Sequence, residues 1–262
     1  MKPILRYYDL HPDVTAFSTT RRGGVSQGNY SQLNINGYCG DDEAHVAENR
    51  TLLAAELGIA TERLFLPHQV HGVEVRALKD DFLRLDTEEQ RRMLEGVDAV
   101  MTDVAGICIG VSTADCIPVL LYDPTHRAAA AIHAGWRGTV ARIVQHTVRQ
   151  MALVYGTDPR DLLAVVGPGI SLDAFEVGDE VYEEFEQAGF DMTVLAERLK
   201  KWHINLPLCN QLQLVEQGVP TDNILQSGIC TYSHPDEYFS ARRLGIKSGR
   251  IFTGIQIKKE QC

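Results

Sequence analysis

No stretch of this chain is long and apolar enough to span a membrane. Its first residues, Met1-Lys2-Pro3-Ile4-Leu5-Arg6-Tyr7-Tyr8-Asp9, lack the continuous apolar core of a signal peptide. A cytoplasmic location with no membrane partner is therefore expected. Basic residues are in deficit: 25 Lys and Arg against 35 Asp and Glu give a net charge of −10. That balance argues against general binding to nucleic-acid backbones or anionic lipid, and no nucleic-acid partner is expected. Paired cysteines are missing too. Cys39, Cys108, Cys116, Cys209, Cys230 and Cys262 contain no C-x-x-C spacing, which excludes a zinc ribbon and a thioredoxin-type motif and favours reduced thiols. There is no H-E-x-x-H, P-loop or G-x-G-x-x-G, and no H-x-E with P-C-x-x-C of cytidine-type deaminases. The nine histidines include no H-x-H pair, so a copper-oxidase cluster lacks its expected ligands. Linkers, low-complexity tracts and internal repeats are absent as well, and residues 1–262 read as one domain. The hydrophobic fraction of 44% and charged fraction of 23% are those of an ordinary soluble enzyme.

The patterning alternates strands and helices. Residues 43–57 read as a helix stopped by Gly58, and Asp86 with Glu89 makes a capping-box pattern for a short helix ending near Gly96. Apolar runs at 98–102, 106–112, 117–122 and 128–133 follow without intervening helices, which predicts antiparallel or mixed pairing. Val140, Ile143, Val144, Thr147, Val148, Met151 and Val154 recur at helical spacing over 139–155. A further strand is expected at 162–166, helices around 181–187 and 205–217, and short strands near 224–226 and 249–257. The class is α+β.

Three residues carry the strongest chemical signal. Cys116 lies in Ala114-Asp115-Cys116-Ile117-Pro118, His133 opens His133-Ala134-Gly135-Trp136-Arg137-Gly138-Thr139, and His71 closes His68-Gln69-Val70-His71-Gly72. Each stands beside glycine or proline at the end of an apolar run. A thiol with two imidazoles can make either a three-ligand metal site or a Cys–His nucleophile pair. His68 falls on the other face of an unbroken strand and reads as a supporting or surface residue. Three basic clusters border glycine turns: Arg21-Arg22, Arg137, and Arg242-Arg243 with Arg250. Arg137 stands just before the long helix, where free amides and a guanidinium would form an anion site, unless it stacks on Trp136. On an acidic chain such clusters suggest a small anion, phosphate being the obvious one.

Taken in order, the motifs resemble the YfiH family, also labelled multicopper polyphenol oxidase or laccase domain. The matching stretches are Phe17-Ser18-Thr19-Thr20-Arg21-Arg22-Gly23-Gly24-Val25-Ser26, Leu33-Asn34, Gln69-Val70-His71-Gly72, Ala114-Asp115-Cys116-Ile117-Pro118, His133-Ala134-Gly135-Trp136-Arg137-Gly138-Thr139, Gly167-Pro168-Gly169-Ile170, Phe175-Glu176-Val177, Cys230-Thr231 and Phe239-Ser240-Ala241-Arg242-Arg243. Two departures are Gly169, where a serine or similar residue is usual, and Phe175, where tyrosine is usual. The resemblance implies an α/β/β/α layered domain similar to the catalytic domain of cytotoxic necrotizing factor. It implies zinc on His71, Cys116 and His133, phosphorolysis of adenosine, inosine, guanosine and S-methyl-5′-thioadenosine, and deamination of adenosine. Purine nucleosides and phosphate are then the partners, and a monomer is expected. Cys116 and His133 are the expected catalytic centre, with Asp115 as proton carrier. Arg21, Arg137 and Arg243 are the phosphate candidates, and Asn34 a nucleoside contact. The rivals are a Cys–His hydrolase or amidase acting on peptidoglycan precursors, a copper polyphenol oxidase, and a non-catalytic nucleotide-binding module.

Overall fold

The computed structural model describes residues 1–259, so Cys262 lies outside the described residues. From the N-terminus, β1 (Leu5–Tyr8) and β2 (Val14–Thr19) form an antiparallel pair, followed by helix α1 (Glu43–Glu56). Asp42 caps α1 by accepting from the amides of Ala44 and His45, and Gly58 follows it with φ of 67°. Strands β3 (Leu64–Phe65) and β4 (Val75–Ala77) precede α2 (Thr87–Met93), where the Asp86–Glu89 capping box is formed. Next come β5 (Ala99–Thr102), β6 (Cys108–Thr113), β7 (Ile117–Asp123) and β8 (Ala128–Ala134).

The helix expected over 139–155 is two helices, α3 (Trp136–Val140) and α4 (Ile143–Tyr155). They part at Arg142, whose φ of 64° is left-handed. Tertiary contacts account for the break: the Arg142 guanidinium lies 3.7 Å from the Phe190 ring centroid and donates to the Ala188 carbonyl. The chain continues through β9 (Leu163–Val166), β10 (Glu176–Val177), α5 (Asp179–Gln187), α6 (Met192–Leu195), β11 (Ala196–Arg198) and β12 (Trp202–Ile204). It ends with α7 (Leu206–Glu216), β13 (Ile224–Gln226), α8 (Ala241–Leu244) and β14 (Ile251–Ile257).

Two mixed sheets stack face to face, one in the order β1-β2-β14-β6-β3 and the other β13-β9-β7-β8-β5-β4. Of the four closely spaced strands, β5 and β7 join the second sheet on either side of β8, each antiparallel to it, while β6 crosses to the first. Side chains alternate along each strand with period two. On β7, Leu120 and Tyr122 point between the sheets, whereas Val119 and Leu121 pack with Val144, Val148 and Met151 of α4. On the outer face of the first sheet, Phe17, Cys108 and Phe252 pack with Leu53 of α1. The result is an α+β molecule in α/β/β/α layers. Strands β7 and β8 are buried on both faces, which is why they read as continuous apolar runs. His133, at the end of β8, interrupts one of those runs.

Candidate metal centre

The register of β7 against β8 builds the centre. Pro118 pairs with His133 and Ile117 with Ala134, so Cys116, one residue before β7, arrives beside the end of β8. His71 comes from the loop between β3 and β4. The ligand-capable atoms of His71, Cys116 and His133 all lie within 4.8 Å of one another, the one such group of three or more His, Cys, Asp or Glu found among the described residues. The two imidazole rings meet edge to face with centroids 4.8 Å apart.

Asp98, wholly buried just before β5, holds the group together. Its Oδ1 accepts from His133 Nδ1 at 2.8 Å and from the His71 amide at 2.9 Å. Its Oδ2 accepts from the Gly72 amide at 2.7 Å and the Val70 amide at 3.2 Å. The first bond leaves Nε2 as the free ligand nitrogen of His133, the arrangement common around metal-bound histidines. The amide bonds stabilise a left-handed His71 (φ 64°), a conformation that costs a non-glycine residue about 1–3 kcal/mol. Asp98 is the functional residue that sequence reasoning missed. Its signal was a single carboxylate within Val97-Asp98-Ala99-Val100, an apolar run where a charge needs a partner.

Electrostatics couple the same groups. Burial alone would raise the Cys116 pKa, but the His133 charge and hydrogen bonds from His133 and His71 lower it to about 6. Burial works against protonation of His133, and the Cys116 thiolate with the Asp98 carboxylate outweighs it, raising that pKa to about 9. Burial also opposes ionisation of Asp98, yet the bonds from His133 and the loop amides keep its pKa below the ordinary value. Gly135 completes the packing: a Cβ there would sit 2.9 Å from His71 Cδ2 and 3.0 Å from Cys116 Sγ. Two imidazoles and a thiolate are a donor set suited to zinc, and an open fourth position would make such a site catalytic.

The ligands line a polar cavity of about 440 Å3, whose wall includes Asn36, Gln69, Thr113, Lys247 and Arg250. An apolar cavity of about 390 Å3 lies on the other side of Cys116, lined by Trp136, Ile170, Phe175 and Leu206 with Asp115 and Arg242. Cys116, Ala241 and Ile246 border both. Gln69 holds the floor in place by donating to the Ser112 carbonyl and accepting from the Ser112 amide. His68 stays outside the ligand group; it pairs with Glu95 at 2.6 Å and stacks on Tyr38 at the cavity edge.

The other expected site residues are placed differently. Arg21 borders a separate cleft, donates to the carbonyls of Ser31 and Pro235, and lies over the Phe239 ring. Its hydrogen bonds make it a brace, and it lies outside the lining of the cavity that holds His71, Cys116 and His133. Arg137 stacks on Trp136 at 4.2 Å, and α3 is too short to offer the anion site expected at a long helix. Arg243 donates to the Tyr232 carbonyl and lies over that ring, while its neighbour Arg242 reaches the apolar cavity. Asn34 is wholly buried and donates to Asp41 and the Asn36 carbonyl, so it lies behind the cavity wall instead of touching a nucleoside. Asp115 accepts from Thr231 Oγ1 at 2.7 Å and from the Arg242 amide at 2.8 Å, and faces the apolar cavity.

Comparison with known proteins fits this arrangement. The chain is 47% identical over 263 residues to a purine nucleoside phosphorylase of Bacteroides thetaiotaomicron, covering 98% of this chain and 97% of that protein. It is 45% identical over 248 residues to adenosine deaminase RL5 of an unknown prokaryotic organism, covering 94% of each. Among solved structures, Bacillus licheniformis YfiH, described as a hypothetical protein, superposes with a TM-score of 0.91 at 28% identity, covering 98% of this chain and 97% of that one. YlmD from Geobacillus stearothermophilus gives 0.89 at 29% identity, covering 96% and 94%. Residues 15–258 match the model of the family described as multi-copper polyphenol oxidoreductase laccase, and the chain belongs to that family, alongside YfiH and YlmD.

Proposed function

We propose that this protein is a zinc-dependent purine nucleoside enzyme. It would catalyse phosphorolysis of adenosine, inosine, guanosine and S-methyl-5′-thioadenosine, and deamination of adenosine. The observation that carries the reading is the His71–Cys116–His133 group at the junction of a polar and an apolar cavity. The names of the two similar proteins, a purine nucleoside phosphorylase and an adenosine deaminase, support the substrate class. The layered sheets share one continuous inner core, which supports reading the chain as a single catalytic domain.

Zinc on these three ligands would supply Lewis-acid chemistry and lower the pKa of water. The protein's own part is binding and orientation. The apolar cavity suits a purine, with Trp136 and Phe175 as aromatic walls and Asp115 able to accept a hydrogen bond from the nucleoside. The polar cavity suits the phosphate or water that attacks. In phosphorolysis a phosphate oxygen bonds to ribose C1′ as the C1′–N9 bond breaks, and its electron pair leaves with the purine, which takes up a proton. In deamination water adds at C6 and the amino group leaves as ammonia.

A second reading has one observation in its favour. The depressed thiol of Cys116, His133 beside it and Asp98 behind His133 form a nucleophile, base and orienting acid, as in a metal-free hydrolase. One experiment separates the two: metal content and turnover of adenosine with phosphate, before and after chelation, on zinc-loaded, copper-loaded and apo protein. Close to one zinc per chain with chelator-sensitive turnover supports the first reading. Turnover by the copper form alone would sink it, and a fully active metal-free protein inactivated by alkylation of Cys116 would favour the hydrolase.

A further inference from the structure

We infer that Thr113, Lys247 and Arg250 form an oxyanion subsite in the polar cavity, with Asn34 as its positioning residue. The identity of the anion as phosphate rests on the function proposed above; the subsite itself does not.

Thr113 is only 1% exposed, lines the cavity, and its hydroxyl has no hydrogen-bond partner. A buried hydroxyl left unpaired costs about 1–3 kcal/mol, so its position calls for a partner within the cavity. Its neighbour Ser112 shows the contrast, because that hydroxyl meets both Asn36 and Gln69. Thr113 ends β6, four residues after the inward-facing Ile109, and is fixed by pairing with Ile251 of β14. The orphan is therefore held in place by the sheet.

Charge points the same way. Lys247 and Arg250 both line the cavity, and no Asp or Glu does. Neither cation takes part in an ion pair among the described residues. Two unneutralised cations on one wall of a chain with net charge −10 make a local positive field that favours an anion. The wall is also built. Arg250 Nη1 donates to the carbonyls of Ser248 and Gly249, and Nη2 to that of Ile246, which braces the loop carrying Lys247. The Arg250 amide donates to Oδ1 of buried Asn34 at 3.1 Å. Asn34 thus acts on the anion through Arg250.

The test is titration of the zinc-loaded protein with inorganic phosphate by calorimetry, in parallel with the phosphate dependence of adenosine phosphorolysis. Thr113→Val removes the hydroxyl at nearly constant shape, and Lys247→Gln removes a charge at an exposed position. Each should weaken phosphate binding about tenfold or more and raise the KM for phosphate to match, with a much smaller effect on the KM for nucleoside. Thr113→Ser and Lys247→Arg should restore most of the affinity. The wild-type affinity should fall as salt is raised, and fall less steeply in Lys247→Gln. Absence of phosphate binding by wild-type protein overturns the subsite, as does phosphate affinity within twofold of wild type in both Thr113→Val and Lys247→Gln. Phosphate binding that responds to these variants in a protein that turns over no nucleoside would keep the subsite and remove the proposed function.

Discussion

Asp98→Asn tests whether the buried carboxylate is what makes three side chains into a metal site. The substitution keeps the shape but turns one acceptor oxygen into an NH2 donor. In either amide orientation that donor faces N–H groups: those of Val70 and Gly72 in one, or those of His71 and His133 in the other. At least one charge-assisted bond is replaced by a donor–donor contact in a wholly buried place, a loss of about 1.5–3 kcal/mol or roughly 10- to 100-fold. Carboxylates that hydrogen-bond the far ring nitrogen of a metal-bound histidine have effects of about that size on affinity. We expect Asp98→Asn to weaken zinc binding about 10- to 100-fold in competition with a chromophoric chelator. The melting temperature of the apo protein is measured alongside, because part of the loss falls on the fold. A folded Asp98→Asn protein with zinc affinity within twofold of wild type would refute the reasoning and return Asp98 to a purely structural role.

Gly135→Ala should fold, since φ there is −67°, yet lose zinc affinity by about tenfold or more, because its Cβ displaces His71 and Cys116; chelator competition reads this directly. Iodoacetamide should modify Cys116 of the apo protein with a rate that rises through about pH 6 and stays high towards pH 9. Below about 6 the thiolate takes up a proton, and above about 9 His133 loses the charge that stabilises it, so a midpoint near the ordinary thiol value would contradict the coupling. Arg21→Ala should lower the melting temperature by a few degrees, since it deletes bonds to the Ser31 and Pro235 carbonyls, and leave the KM for phosphate within about twofold. A selective rise in that KM would restore Arg21 as a phosphate ligand.

Sequence and tertiary structure divide this protein along physical lines. Period and punctuation are local, so the α+β class, the capped helices α1 and α2, the doubly buried strands β7 and β8 and the buried face of α4 were legible from side-chain order alone. So were His71, Cys116 and His133, because a polar group at the glycine-bordered end of an apolar run is conspicuous. Register is not local. That β6 leaves its neighbours for the other sheet, and that Pro118 pairs with His133, follows from packing between segments far apart in the chain. The arginines show the limit most plainly. Arg21, Arg137, Arg243 and Arg250 look alike as residues near glycine, and only the fold sets Arg21 and Arg243 against distant carbonyls and aromatic rings, Arg137 against the Trp136 ring, and Arg250 against the carbonyls of its own loop on the cavity wall. A guanidinium's task is set by which acceptors surround it, and for Arg21 and Arg243 those acceptors belong to other parts of the chain. Asp98 is the same case with the sign reversed: as a lone acid in an apolar run it needed partners, and only the folded chain delivers the loop amides and His133 to it.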